Sequence, residues 1–152
     1  METKPWPNGL VVVDKPLGVS SMDVVRRVRW SAQQVEGVTK KSVKVGHAGT
    51  LDPLATGVVI CCLGRATKQV DQLMNLTKVY EATVDLSAFT NTEDREGERQ
   101  EVDVPAPPGR SAIDKAITNF IGDIEQVPPA FSAIHVNGQR AYKLARRGDA
   151  VE

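Results

Sequence analysis

The run "VVICCL" at residues 58–63 constrains this chain more than any other stretch. Six continuous apolar residues, β-branched at their start, suit a strand buried on both faces. Directly before them stands "GHAGTLDPLATG", residues 46–57, holding three glycines, a histidine, a proline and one carboxylate. Glycine tolerates backbone angles that other residues avoid, and proline fixes its own. The twelve residues therefore read as a turn-rich loop leading into the core. Asp52 is held on that loop, either as a helix cap or as a reactive group.

The flanking sequence supplies the elements such a strand needs. "GLVVV" at residues 9–13 reads as a first strand, and Ser20 or Ser21 is placed to cap a helix. Val24, Val28, Ala32 and Val35 form one apolar stripe, with Arg26, Arg27 and Arg29 largely off it, which predicts an amphipathic helix with a basic outer surface. Ala66, Val70, Leu73 and Met74 recur at helical spacing. In "VYEATVDLS", residues 79–87, Tyr80, Ala82, Val84 and Leu86 alternate with Glu81, Thr83 and Asp85, the pattern of a half-buried strand. Residues 90–110 are polar, acidic and proline-rich and read as a long exposed excursion.

Farther on, Ser111 and Asp114 resemble a capping box ahead of the stripe Ile113, Ala116, Ile117 and Phe120, with Gly122 as the residue that ends the helix. Asn137-Gly138 marks a turn that alone favours a hairpin, while Tyr142, Leu144 and Ala145 fit a short basic helix stopped by Gly148. Strands and helices are interspersed without a regular βαβ rhythm. The expected class is α/β (α+β), built on a mixed, largely antiparallel sheet.

A chain of 152 residues fits one domain with a real core, and 41% apolar with 25% charged residues is globular composition. No apolar run approaches the ~20 residues of a membrane span, and the N-terminus lacks the apolar stretch of a secretory signal. Cys61 and Cys62 are adjacent and point to opposite faces of a strand, so they read as reduced, buried thiols of a cytoplasmic protein. Net charge is zero but segregated. Seven Lys or Arg stand against two acids between Lys15 and Lys44, and seven acids against two Arg between Asp85 and Asp103. Residues 139–148 then add Arg140, Lys143, Arg146 and Arg147 with no acid. Two basic segments point either to a polyanion partner or to solvated helix faces.

The candidate site residues each have two readings. Asp52 followed by Pro53 makes a good N-cap and first helical residue; equally, a lone carboxylate on a rigid loop can act as nucleophile or base. No metal-ligand spacing and no phosphate-binding glycine loop surrounds it. His47 can bond loop carbonyls, contact a phosphate or stack on a base. Tyr80 packs in a core or stacks on a nucleobase. Lys15-Pro16 beside Gly18 reads as a structural turn.

In order, "GLVVVDKPLGVSSMDVV", "KVGHAGTLDPLATGVVICCLGRATK", "KVYEATVDLSAFTNTEDREGE" and "GDIEQVPPAFSAIHVNGQRAYKLARRG" closely resemble the bacterial TruB-type tRNA pseudouridine synthases. The resemblance implies isomerisation of the T-loop uridine of tRNA, uridine-55, with Asp52 as the catalytic carboxylate and no cofactor or metal. It implies substrate and RNA contacts from His47, Gly49, Thr50, Tyr80, Lys15, Arg140 and Tyr142, with Tyr80 stacking on the target uracil. Lys15 and Pro16 match a pair that mainly buttresses the active-site loop. The implied partner is the T-arm stem-loop, met by a monomer without a membrane. Family members continue past Glu152 into a "GTYIRTL"-like strand, whose arginine pairs with the aspartate, and a C-terminal RNA-binding domain. Residues 1–152 are thus expected to be the N-terminal part of a catalytic domain whose sheet is incomplete at the C-terminus. A catalytically inactive protein that holds the T-arm is the alternative.

Overall fold

β3 (Gly57–Leu63) contains the apolar run at residues 58–63 and is the middle strand of its sheet. The computed structural model describes residues 7–35, 43–129, 131–132, 134–136, 138–145 and 147. These fall in two compact units, residues 1–80 and residues 81–152.

In the first unit, β1 (Gly9–Lys15) and β2 (Val45–His47) flank β3 in the order β1-β3-β2, both antiparallel to it. The register sets Val13 opposite Val59 and sets both Val11 and His47 opposite Cys61. α1 (Ser21–Gln33) supplies Val24, Val25 and Ala32 to one cluster with Val43, Val45, Val59, Cys61 and Leu63. Cys61 and Cys62 are both free and both fully buried, so the strand is covered on two faces at its far end. At its near end Val58 is exposed, and there the two-faced burial expected from the sequence fails. Ser20 is the N-cap of α1 in a full capping box with Asp23. The helix ends at Gln33, so Val35, read as part of the stripe, lies beyond it and is exposed. After β3 the chain turns through a 3₁₀ segment (Gly64–Gln69) into α2 (Val70–Met74).

The expected strand over residues 79–87 does not form. Residues 77–86 carry no regular structure and are all exposed, Val79 at 95% and Tyr80 at 69%. Alternation makes a segment competent to be a strand, but a strand also needs a neighbour to share its hydrogen bonds and a surface for its apolar face. Among the described residues this segment has neither.

In the second unit the excursion at 90–110 is exposed as expected, but its first part is a hairpin. β4 (Ala88–Thr90) pairs antiparallel with β5 (Arg99–Glu101). Its turn is built on Asp94, whose carboxylate accepts from the Thr92 hydroxyl at 2.6 Å and the Glu96 N–H at 2.9 Å. Arg99 ties the hairpin to Asp85 (2.8 Å) and Glu101 (3.0 Å). α3 (Arg110–Ile117) starts after Gly109 and not at Ser111; the capping box is absent, and Arg110 bonds Asp114 at 2.8 Å instead. A 3₁₀ turn (Thr118–Phe120) follows, with Gly122 at φ +86° beyond it. Finally β6 (His135–Val136) pairs with β7 (Gln139–Arg140), and α4 (Ala141–Ala145) follows at once. The hairpin and the short helix are therefore both present. Asn137, Gly148 and the side chains of Arg140 and Tyr142 lie outside the described residues. Among those residues, every strand pairing is antiparallel and no helix is long and apolar enough to cross a membrane.

Candidate active site

The loop between β2 and β3 is pinned to the unit that carries it from three directions. Gly49 at φ +119° and Gly57 at φ +122° occupy backbone regions closed to side-chain-bearing residues, which lets the chain leave β2 and re-enter β3 through a tight path. Between them, Ala55 N–H donates to the Asp52 carbonyl at 3.0 Å and closes a single turn around Pro53 and Leu54. No helix begins there, so the N-cap reading of Asp52 falls. Its side chain is exposed and accepts no hydrogen bond or ion pair among the described residues.

The residues on either side of Asp52 are anchored. The Ser21 hydroxyl donates to the Leu51 carbonyl at 2.9 Å and accepts from the Leu51 N–H at 2.8 Å. Gly18 N–H donates to the Pro53 carbonyl at 2.8 Å. Leu51 itself packs against the core cluster. Lys15 holds the other partner in place. Its ammonium is fully buried and donates to the carbonyls of Pro16 (3.0 Å) and Val19 (2.6 Å), fixing the turn that presents Gly18. Grouped by sequence with the RNA-contacting residues, Lys15 is inaccessible to any ligand here; a buried ammonium spends its donors on carbonyls because an unpaired one is too costly.

His47 closes β2 and is half-buried. Its Nδ1 donates to the Gly49 carbonyl at 2.7 Å, which leaves Nε2 as the nitrogen open to a ligand. Thr50 is exposed beside it. Asp52, His47, Gly49 and Thr50 thus share one loop, with Lys15 beneath its supports. Tyr80 stands at the end of the first unit, exposed, where the sequence placed it on an inward face. Arg140 lies on β7 and Tyr142 on α4, in the second unit.

The capping box that fixes α1 is electrostatically firm. The Ser20 hydroxyl, then the Arg26 guanidinium at 2.6 Å, hold the Asp23 carboxyl below its ordinary range. Arg27 lies 4.8 Å over the exposed Trp30 ring on the outer face of the helix. Burial pushes the Cys61 thiol up, with a smaller contribution from Cys62, whose own thiol burial also raises. The sequence reading missed the tie from Ser21 to Leu51. The available signal was that two consecutive serines precede the helix, while a cap uses one.

The model of the TruB family pseudouridylate synthase N-terminal domain matches residues 36–152. The tRNA pseudouridine synthase B of Bacteroides thetaiotaomicron is 51% identical over 142 residues, covering 91% of this chain and 57% of the relative. That of Ruegeria sp. TM1040 is 49% identical over 145 residues, covering 95% and 45%. That of Phocaeicola vulgatus is 49% identical over 142 residues, covering 91% and 58%. The chain therefore spans about half the length of the curated relatives it matches. With the family model covering most of its residues, the chain belongs to the TruB family of pseudouridylate synthases.

Proposed function

We propose that this chain carries the catalytic aspartate of a tRNA pseudouridine synthase and isomerises the T-loop uridine, uridine-55, to pseudouridine. One observation carries the reading: Asp52 sits on a backbone anchored at Leu51 and Pro53, yet its carboxylate is exposed and unengaged. The anchored backbone holds that carboxylate out to solvent, where a substrate can reach it. The naming of the relatives as tRNA pseudouridine synthase B supports the substrate class.

The reaction breaks the N1–C1′ glycosidic bond, turns the freed uracil, and joins C5 to C1′ with loss of the C5 hydrogen as a proton. Atoms are conserved between uridine and its isomer, so one carboxylate and a pocket suffice. Two routes are open to Asp52: addition to the nucleoside at C1′ or C6, or removal of a sugar proton to give a glycal. Both require an ionised, accessible carboxylate. Reaching the base means flipping it from the folded T-loop, at a cost of about a few kcal/mol. The exposed Tyr80 ring offers a stacking face, and base–aromatic stacking is worth about 1–3 kcal/mol. The Nε2 of His47 and the Thr50 hydroxyl face the RNA on this reading, with Arg26 and Arg27 on the outer face of α1 supplying phosphate contacts; further contacts from Arg140 and Tyr142 rest on the family resemblance alone. Every group named comes from one chain, so a monomer acting on the T-arm is enough.

The test is product analysis. A T-arm stem-loop incubated with the chain and digested to nucleosides should yield pseudouridine at the position of the T-loop uridine, resolved from uridine by chromatography. Uridine alone, in a preparation that binds the stem-loop, would sink the reading.

A further inference from the structure

We propose that Ser21 is the positioning residue for the Asp52 carboxylate; the inference rests on the reading of Asp52 as the reactive group. The argument starts from what Ser21 is not needed for. Ser20 alone caps α1, through its capping box with Asp23, so the second serine has no part in starting the helix. As the first helical residue, Ser21 projects its side chain back past the N-terminus of α1, toward the loop that the helix packs beside. It is 2% exposed.

Its hydroxyl makes two bonds to one residue thirty positions away. It donates to the Leu51 carbonyl at 2.9 Å and accepts from the Leu51 N–H at 2.8 Å. Those two groups belong to the peptide units before and after the Leu51 Cα, and the second of these includes the nitrogen of Asp52. No other partner serves either group among the described residues. A hydroxyl is the smallest side-chain group that can donate and accept at once, which is what the site demands.

Asp52 has no side-chain bond to orient it, so its aim depends on the placement of its backbone. Ser21 fixes that backbone from the N-terminal side, and Gly18 fixes it from the C-terminal side through Pro53. A misplacement of about 1 Å in a reacting group can cost about 10²-fold in rate. Ser21 thus acts on turnover through Asp52 without touching the nucleoside.

The experiment compares the native chain with Ser21→Ala and Ser21→Thr. Amide ¹⁵N relaxation reports whether the Asp52 backbone is held. The native chain and Ser21→Thr should show an order parameter near the rigid value of about 0.85, and Ser21→Ala should fall toward the flexible range below about 0.6. Helix α1 amides should stay unchanged. In single-turnover isomerisation of the stem-loop, Ser21→Ala should lose about 10²-fold in rate with stem-loop affinity kept, and Ser21→Thr should recover it. Should Ser21→Ala not fold, Ser21→Cys fills the site with only a weak donor and acceptor, and the same loss of order at Asp52 is expected. An unchanged order parameter at Asp52 in the alanine or cysteine variant overturns the proposal. An Asp52→Asn control separates the two readings: if it turns over at the native rate, the catalytic role of Asp52 falls, while the relaxation data still decide whether Ser21 holds that residue.

Discussion

The two units of this chain use similar sequence patterns and reach opposite degrees of burial. In the first, an amphipathic helix and a three-stranded sheet close on each other, and Val25, Val59, Cys61 and Cys62 are at most 2% exposed. In the second, α3 carries an equally regular stripe, yet Ile113, Ile117 and Phe120 are all exposed, and Ala141 is the one buried hydrophobic among the described residues. The difference teaches that periodicity licenses an element without burying it. Burial needs a complementary surface within reach. The candidate site stands on the unit that has one, because a carboxylate can be aimed only from a rigid frame.

Hydrogen exchange should draw the sharpest line between the units. Amides of β3, in the centre of its sheet, should exchange orders of magnitude more slowly than those of residues 81–86 at the start of the second unit, which have no ladder. Equal protection across both would break the comparison. Mutation should sharpen it next. Val25→Ala removes a fully buried side chain and should cost about 2 kcal/mol in denaturant unfolding. Val84→Ala removes an exposed one and should stay within about 0.5 kcal/mol. A similar loss from both would show that the second unit buries what it here exposes.

Acid should produce the smallest effect. The Ser87 side chain first, then Arg99, hold the Asp85 carboxyl below its ordinary value, as Ser20 and Arg26 do for Asp23. With the folded value depressed, the folded chain binds fewer protons than the unfolded one near 3.8, the ordinary value of both groups. The stabilisation is complete above that value and drains away as the pH falls through the depressed one. Thermal midpoints measured on descending pH should therefore drop below about pH 4. Ser20→Ala should flatten the part of that fall due to Asp23, and Ser87→Ala the part due to Asp85. An acid fall unaltered by either substitution would contradict the assignment.

How far the sequence could be read follows the same division. The strand–helix–strand frame of the first unit was legible because its signals are local: a continuous apolar run, a helical stripe and a serine cap each fix their own element. The strand expected at residues 79–87 failed because alternation says nothing of whether a partner strand stands beside it. The β4–β5 hairpin was hidden by its polar composition, since it is held by Asp94 and Arg99 and not by an apolar face. At the site, glycines and Pro53 announced the loop. The choice between a cap and a free carboxylate for Asp52 turned on whether a helix follows Pro53, and Asp-Pro spacing alone does not decide that. Ser21 was legible only as a candidate cap, and its tie to Leu51 was not, because that partner lies thirty residues away.

The most direct test of the catalytic claim is tritium release from a T-arm stem-loop labelled at uracil C5, using the native chain and Asp52→Asn. Forming the new bond at C5 expels that hydrogen, so release reports isomerisation itself. The account predicts release by the native chain and its loss in Asp52→Asn, with stem-loop binding retained in both. Release that persists in Asp52→Asn at the native rate would contradict it.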